Sequence, residues 1–420
     1  MSRFKKLFSM TLALGLGAFA RADDPAVVEI HATLAPLRSH PSCDADDCRG
    51  PWNKGDGDPR YSTPALTTAK RQLRDWIETR LASFAERGNE KALARKLNRE
   101  LYRADLFCQR TNTPKSPDRC RFERADWNAI GFLYPDIRLT RPTDGVLVVI
   151  SGMGIECDSD TSAYAYEWRG GTWQRFWQYE QAIEPAVHYL PQWIDSVEVS
   201  RADAAGARLV MTLGQMQWCQ STWYPMYARL WRAHQAGDAK LLLDLAEDAW
   251  INGDVEHPPV TGHVDLDDVY IGFARPGISD LVHTALLHFR VTGETLTRID
   301  PLAPDPRAFV EEWLQSPWSD ALRWAAQDAL ALADWHAKLR PEDYFSDVSD
   351  TLGCGKNSNV WQVSMQVSQG DKDMGSLYFR IGWRAPVRFE MLAIGTTEWP
   401  DCTGPEPRDN EFAPRPRRRS

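Results

Sequence analysis

A strand-turn-strand pattern that recurs four times constrains this chain most. Tyr164–Trp168 and Trp173–Trp177 flank Gly170-Gly171. Tyr227–Trp231 and Leu241–Leu243 flank Gly237-Asp238. Leu286–Val291 and Leu296–Ile299 flank Gly293-Glu294, and Leu377–Ile381 and Val387–Phe389 flank Ala385-Pro386. Alternating apolar and polar residues on either side of a tight turn read as β-hairpins. Each hairpin is preceded by a further strand: Val146–Ile150, Ala207–Leu213, Val269–Ala274 and Val360–Val367. A unit recurring roughly every 50–70 residues, with a longer last gap, predicts a degenerate repeat of antiparallel sheets, either propeller-like or stacked. The expected class is mainly β with helical segments (α+β).

Helical periodicity is confined to two regions. Leu73, Ile77, Leu81 and Phe84 share one face at a 3.6-residue period, Gly88 stands where that helix ends, and Leu93, Leu97 and Leu101 continue on a second helix. Asp23–Thr63, crowded with Gly, Pro and Asp, reads as turns. Phe309, Trp313, Leu322, Ala325, Ala329, Leu332 and Trp335 predict a helical insertion before the fourth hairpin. The implied segments are 1–22, 23–120 (loop and helical pair), 121–305 (hairpin repeats), 306–350 (helical insertion), 351–404 (last hairpin) and a disordered basic tail, 405–420.

Met1–Ala22 has the form of a secretory signal. Arg3, Lys5 and Lys6 precede an apolar run from Leu7 to Phe19, and Ala20 and Ala22 are the small residues before a cut. The run falls short of the roughly 20 residues a bilayer span needs. Cleavage near Ala22 predicts a periplasmic or secreted protein without a membrane span. Eight cysteines in an oxidising compartment then read as disulfides. Neighbour-with-neighbour closure predicts Cys43–Cys48, Cys108–Cys120, Cys157–Cys219 and Cys354–Cys402. No C-x-x-C pair suggests a metal.

The chain carries a net charge of −9. Its first 22 residues hold four basic side chains and no acidic ones, so the processed chain is more acidic still. That balance disfavours nucleic acid and favours a basic protein partner. Motifs for standard chemistries fail. Ser151 lacks the first glycine of a nucleophile elbow. Cys157 stands where a dinucleotide loop needs its third glycine, and Asn357 follows Lys356 where a phosphate loop needs Ser or Thr. Asp44–Gly50 departs from the calcium-loop pattern at Cys48. No cofactor is expected.

Two clusters remain. His257, His263, Asp265, Asp267 and their acidic neighbours through Asp268 supply the residue types of acid–base chemistry, and alternation places His263, Asp265 and Asp267 on one strand face. Gln215, Gln217, Trp218 and Trp223 combine amide and indole groups suited to a binding patch. The absence of a catalytic motif favours a non-catalytic envelope binding protein, in its sharpest form an inhibitor or immunity protein that neutralises a toxin or lytic enzyme. The alternatives are a hydrolase using the His257–Asp268 cluster and a structural factor of the envelope.

Overall fold

The computed structural model describes residues 24–38, 64–103, 135–155, 158–181, 193–215, 223–234, 237–245, 250–252, 260–276, 282–299, 303–326, 329–339, 344–355, 359–369, 372–384 and 388–405. These form four antiparallel sheets whose strands follow one another in chain order. The first contains β1 (Pro135–Thr140), β2 (Val146–Ile155), β3 (Asp158–Arg169) and β4 (Thr172–Tyr179). The second contains β5 (Trp193–Val199), β6 (Arg208–Gln215), β7 (Trp223–Ala233) and β8 (Ala239–Asp244), with β9 (Trp250–Asn252) paired to the start of β7. The third contains β10 (Val260–Val264), β11 (Asp268–Pro276), β12 (Val282–Thr292) and β13 (Thr295–Arg298). The fourth contains β14 (Tyr344–Gly353), β15 (Val360–Gln369), β16 (Lys372–Arg384) and β17 (Arg388–Gly395).

The strand pairs of all four hairpins therefore stand where alternation placed them, while the fourth turn, Ala385-Pro386, lies outside the described residues. Gly170, Gly171, Gly237 and Gly293 adopt positive φ in their turns, a conformation that costs a residue without Cβ little. The sheets stack in sequence. One face of the first sheet packs on the second through Val148, Ile150, Ala165, Trp177, Val210 and Trp231. The opposite face of the second packs on the third through Met211, Leu213, Leu230, Ile271, Phe273 and Leu287.

Among the described residues the stack is not closed into a ring. α1 (Pro25–Arg38), α2 (Pro64–Leu81) and α3 (Glu90–Arg103) cover the outer face of the first sheet, burying Ile30, Leu73, Ile77 and Leu97 against Leu139, Val149 and Tyr164. A buried ion pair between Lys70 and Asp160, 2.5 Å apart, ties α2 to β3. Helix α1 corrects the reading of Asp23–Thr63 as turns. Val27, Ile30 and Leu34, all buried, repeat at helical spacing ahead of the glycine-rich stretch.

Helices occupy Pro306–Gln315, Trp318–Ala321 and Ala329–Lys338, but the 306–350 segment is not helical to its end: from Tyr344 the chain is strand β14, held by its pairing with β15. Asp305 caps its first helix by accepting the Ala308 N–H at 2.8 Å, with Pro306 in the first turn. Phe309 and Trp313 join the core shared by the second, third and fourth sheets. Cys354 and Cys402 form a disulfide that pins the C-terminal segment beside the fourth sheet, where the Gly404 N–H donates to Gly353 O at 2.8 Å. Cys43, Cys48, Cys108, Cys120, Cys157 and Cys219 lie outside the described residues, as does Met1–Ala22.

Candidate functional site

The His/carboxylate cluster is built on the first hairpin of the third sheet, and its geometry differs from the sequence reading. Strand β10 ends at Val264, so Asp265 and Asp267 lie in the turn to β11 rather than on a strand face with His263. The Asp265 N–H donates to Asp268 O across this turn, at 2.9 Å. His257 lies outside the described residues.

Pairing across the sheet supplies partners that spacing along the chain could not reveal. His263 is opposite Tyr270, and Tyr270 is opposite His288, giving a row across β10, β11 and β12. The Tyr270 and His288 rings stack with centroids 4.1 Å apart. His288 is only 5% exposed, and its Nε2 lies 3.2 Å from Asp268 Oδ1. The same carboxylate oxygen accepts from Arg290 Nη2 at 3.0 Å. The opposite face of these strands carries Val264, Val269, Ile271, Leu287 and Phe289, buried toward the second sheet. A carboxylate that orients an imidazole beside a phenol can hold and pass a proton. Asp265 is otherwise engaged: it accepts the Leu266 N–H at 2.9 Å and pairs with Arg201 at 3.3 Å. The Leu266 N–H and the Arg201 guanidinium hold its carboxyl below the usual range. Among the described residues no group of three or more His, Cys, Asp or Glu side chains could hold a metal ion.

The binding patch lies at the other end of the strands. Gln215 closes β6, opposite Trp193 and Met226, and Trp223 opens β7. Gln217 and Trp218 lie outside the described residues. Arg201 follows β5 and Asp265 follows β10, so their ion pair fixes which ends of these two sheets coincide. Gln215 is thereby removed from the Asp265 turn by the length of β6, roughly 25 Å for eight residues. The turn end is cross-linked between sheets by Arg208–Glu167 at 2.5 Å and by Lys240–Glu294.

A third polar cluster escapes a reading of the sequence because its members come from different sheets. The Arg229 guanidinium lies between the Tyr179 and Tyr227 rings, 5.5 and 5.1 Å from their centroids. It donates to the Tyr179 hydroxyl at 2.6 Å and to Asp244 Oδ1 at 3.0 Å. Burial, partly offset by Arg229, raises the Tyr179 hydroxyl above its ordinary range. Nearby, β5 bulges between Ile194 and Ser196. Arg138 of β1 reaches across the seam and donates to the backbone oxygens of Asp195, at 3.1 Å, and Ile194. Burial, opposed by Arg138, pushes the Asp195 carboxyl up to about 6.

No family model and no curated protein matches the chain. Among solved structures it is similar to the GH93 alpha-L-arabinofuranosidase of Fusarium graminearum in complex with arabinobiose, at 10% identity over 64% of this protein and 68% of that one, with a TM-score of 0.24. It is also similar to a putative glycosidase from Bacteroides thetaiotaomicron, at 11% identity over 64% and 74%, with a TM-score of 0.22. Likeness at this level carries no weight for fold or activity. The protein has four antiparallel sheets, of which the first three are tied to one another at the turn end by ion pairs.

Proposed function

We propose that this chain is an exported, non-catalytic binding protein of the bacterial envelope that captures a basic protein, in the sharpest form as an inhibitor or immunity protein against a toxin or lytic enzyme. In this reading Met1–Ala22 is removed and the mature protein works in the periplasm. The repeated sheets act as a propeller-like scaffold, and the end bearing Gln215 and Trp223 faces the partner. The observation that carries the reading is the contrast between the two strand ends. Ion pairs Arg201–Asp265, Arg208–Glu167 and Lys240–Glu294 join neighbouring sheets at the turn end. The opposite end carries Gln215, the last residue of β6, and Trp223, the first of β7. Connections on a rigid scaffold are where recognition concentrates. A net charge of −9 would speed encounter with a cationic partner.

The test is to purify the processed chain and search envelope extracts for a stoichiometric partner whose binding weakens with salt. Trp223→Ala should weaken that complex. A complex that ignores both salt and Trp223→Ala, or no complex at all, would sink the proposal.

The row His263–Tyr270–His288 with Asp268 favours a second reading, a periplasmic carbohydrate-active or other hydrolase. Here His263→Ala and Asp268→Asn should abolish any turnover found. Unchanged turnover would remove this site.

A further inference from the structure

Three buried polar atoms in the seam between the first and second sheets have no hydrogen-bond partner among the described residues: Trp177 Nε1, Thr212 Oγ1 and Asp195 Oδ2. Thr212 is 0% exposed and Trp177 1%. Buried polar atoms are nearly always paired, and several orphans in one layer ask for a common explanation.

Their placement follows from register. Thr212 of β6 is opposite Val197 of β5 and Arg229 of β7. Asp195 lies two residues before Val197, at the bulge that Arg138 spans. Trp177 comes from the facing sheet. It and Tyr179 both pack on Trp231, with centroids 5.2 and 5.6 Å away, and Tyr179 meets Arg229. Small side chains, Ala163 and Ala165, face the same layer.

The chemistry of the three atoms selects the occupant. An indole N–H only donates, an ionised carboxylate only accepts, and a threonine hydroxyl does both. A cation would meet the N–H and the guanidinium groups of Arg138 and Arg229. An anion would meet Asp195. A small uncharged molecule that both donates and accepts satisfies all three. We infer that the seam between the first and second sheets is an internal hydration site, in which bound water joins Trp177 and Thr212 and reaches Asp195. Buried waters typically make two to four such bonds and act as part of the fold.

Thr212→Val separates a wet seam from a dry one by sign. In a wet seam the valine removes a partner from a bound water, and Tm should fall, on the order of 1–3 °C. In a dry seam the same change removes an unpaired buried hydroxyl, and Tm should rise. A Tm that rises or stays constant overturns the inference. A crystal structure of the full chain, at a resolution that reveals ordered solvent, gives the direct measurement. Density about 2.7–3.2 Å from both Trp177 Nε1 and Thr212 Oγ1 is expected. An empty layer there overturns the inference as well.

Discussion

The second sheet meets its two neighbours in different ways. Toward the third sheet it presents Leu209, Met211, Leu213, Met226 and Leu230, against Val269, Ile271, Phe273 and Leu287. Gly262 lets the layers approach so closely that a Cβ there would lie 2.4 Å from Met211 Cε. Toward the first sheet it presents Asp195, Thr212 and Arg229 among Val197, Val210 and Trp231. Both seams bury apolar side chains, but the seam toward the first sheet also buries polar groups, with Arg229 and Arg138 donating across it. The same four-stranded unit thus yields two kinds of interface, depending on which side of each strand carries polar atoms.

Three substitutions probe this contrast. Leu213→Ala, in the apolar seam, should cost about 3 kcal/mol, because lost burial and a residual cavity add. Urea unfolding would measure it, and a cost below that of the next change would reverse the ranking of the seams. Arg138→Leu, in the polar seam, should cost about 2 kcal/mol by leaving the Ile194 and Asp195 carbonyl oxygens without this donor. Asp195→Asn should have the smallest effect and one that depends on pH. Burial raises the Asp195 carboxyl from 3.8 to about 6 in the folded state. Its favourable contribution is therefore complete below about 3.8 and is lost as pH rises through about 6. Relative to wild type, the asparagine variant should gain thermal stability on going from about pH 4 to about pH 7. Parallel curves for the two proteins would show that Asp195 does not titrate in that window. Carboxylates at the turn end have the opposite sign. Burial opposes ionisation of Glu167, but the hydrogen bonds from Arg208 and Arg169 outweigh it. Together with Asp265, whose Leu266 N–H and Arg201 also favour the charged form, it loses its contribution as pH falls.

The legible parts of the fold are those where one local rule dominates. The middle strands and the glycine turns follow from alternation and from residues that tolerate positive φ. The opening strands β1 and β5 are hidden from such a reading because Asp136, Arg138, Asp195 and Glu198 interrupt an apolar run. Helix α1 is hidden because its apolar residues directly precede a stretch of Gly, Pro and Asp. In the candidate site, His263 and the acidic turn are visible as a cluster. The row through Tyr270 to His288 is not, since these residues are 7 and then 18 positions further along the chain.

The sequence by itself determined the repeated hairpins and the helical segments around Leu73 and Trp313, because periodicity and turn chemistry act over short distances. Only the tertiary structure decided that the sheets stack without closing among the described residues, that Asp268 serves His288, and that Arg138 spans the bulge at Asp195. Those outcomes depend on which faces meet. A residue's face is set by its own strand, but its neighbours are set by a sheet formed from residues tens of positions away.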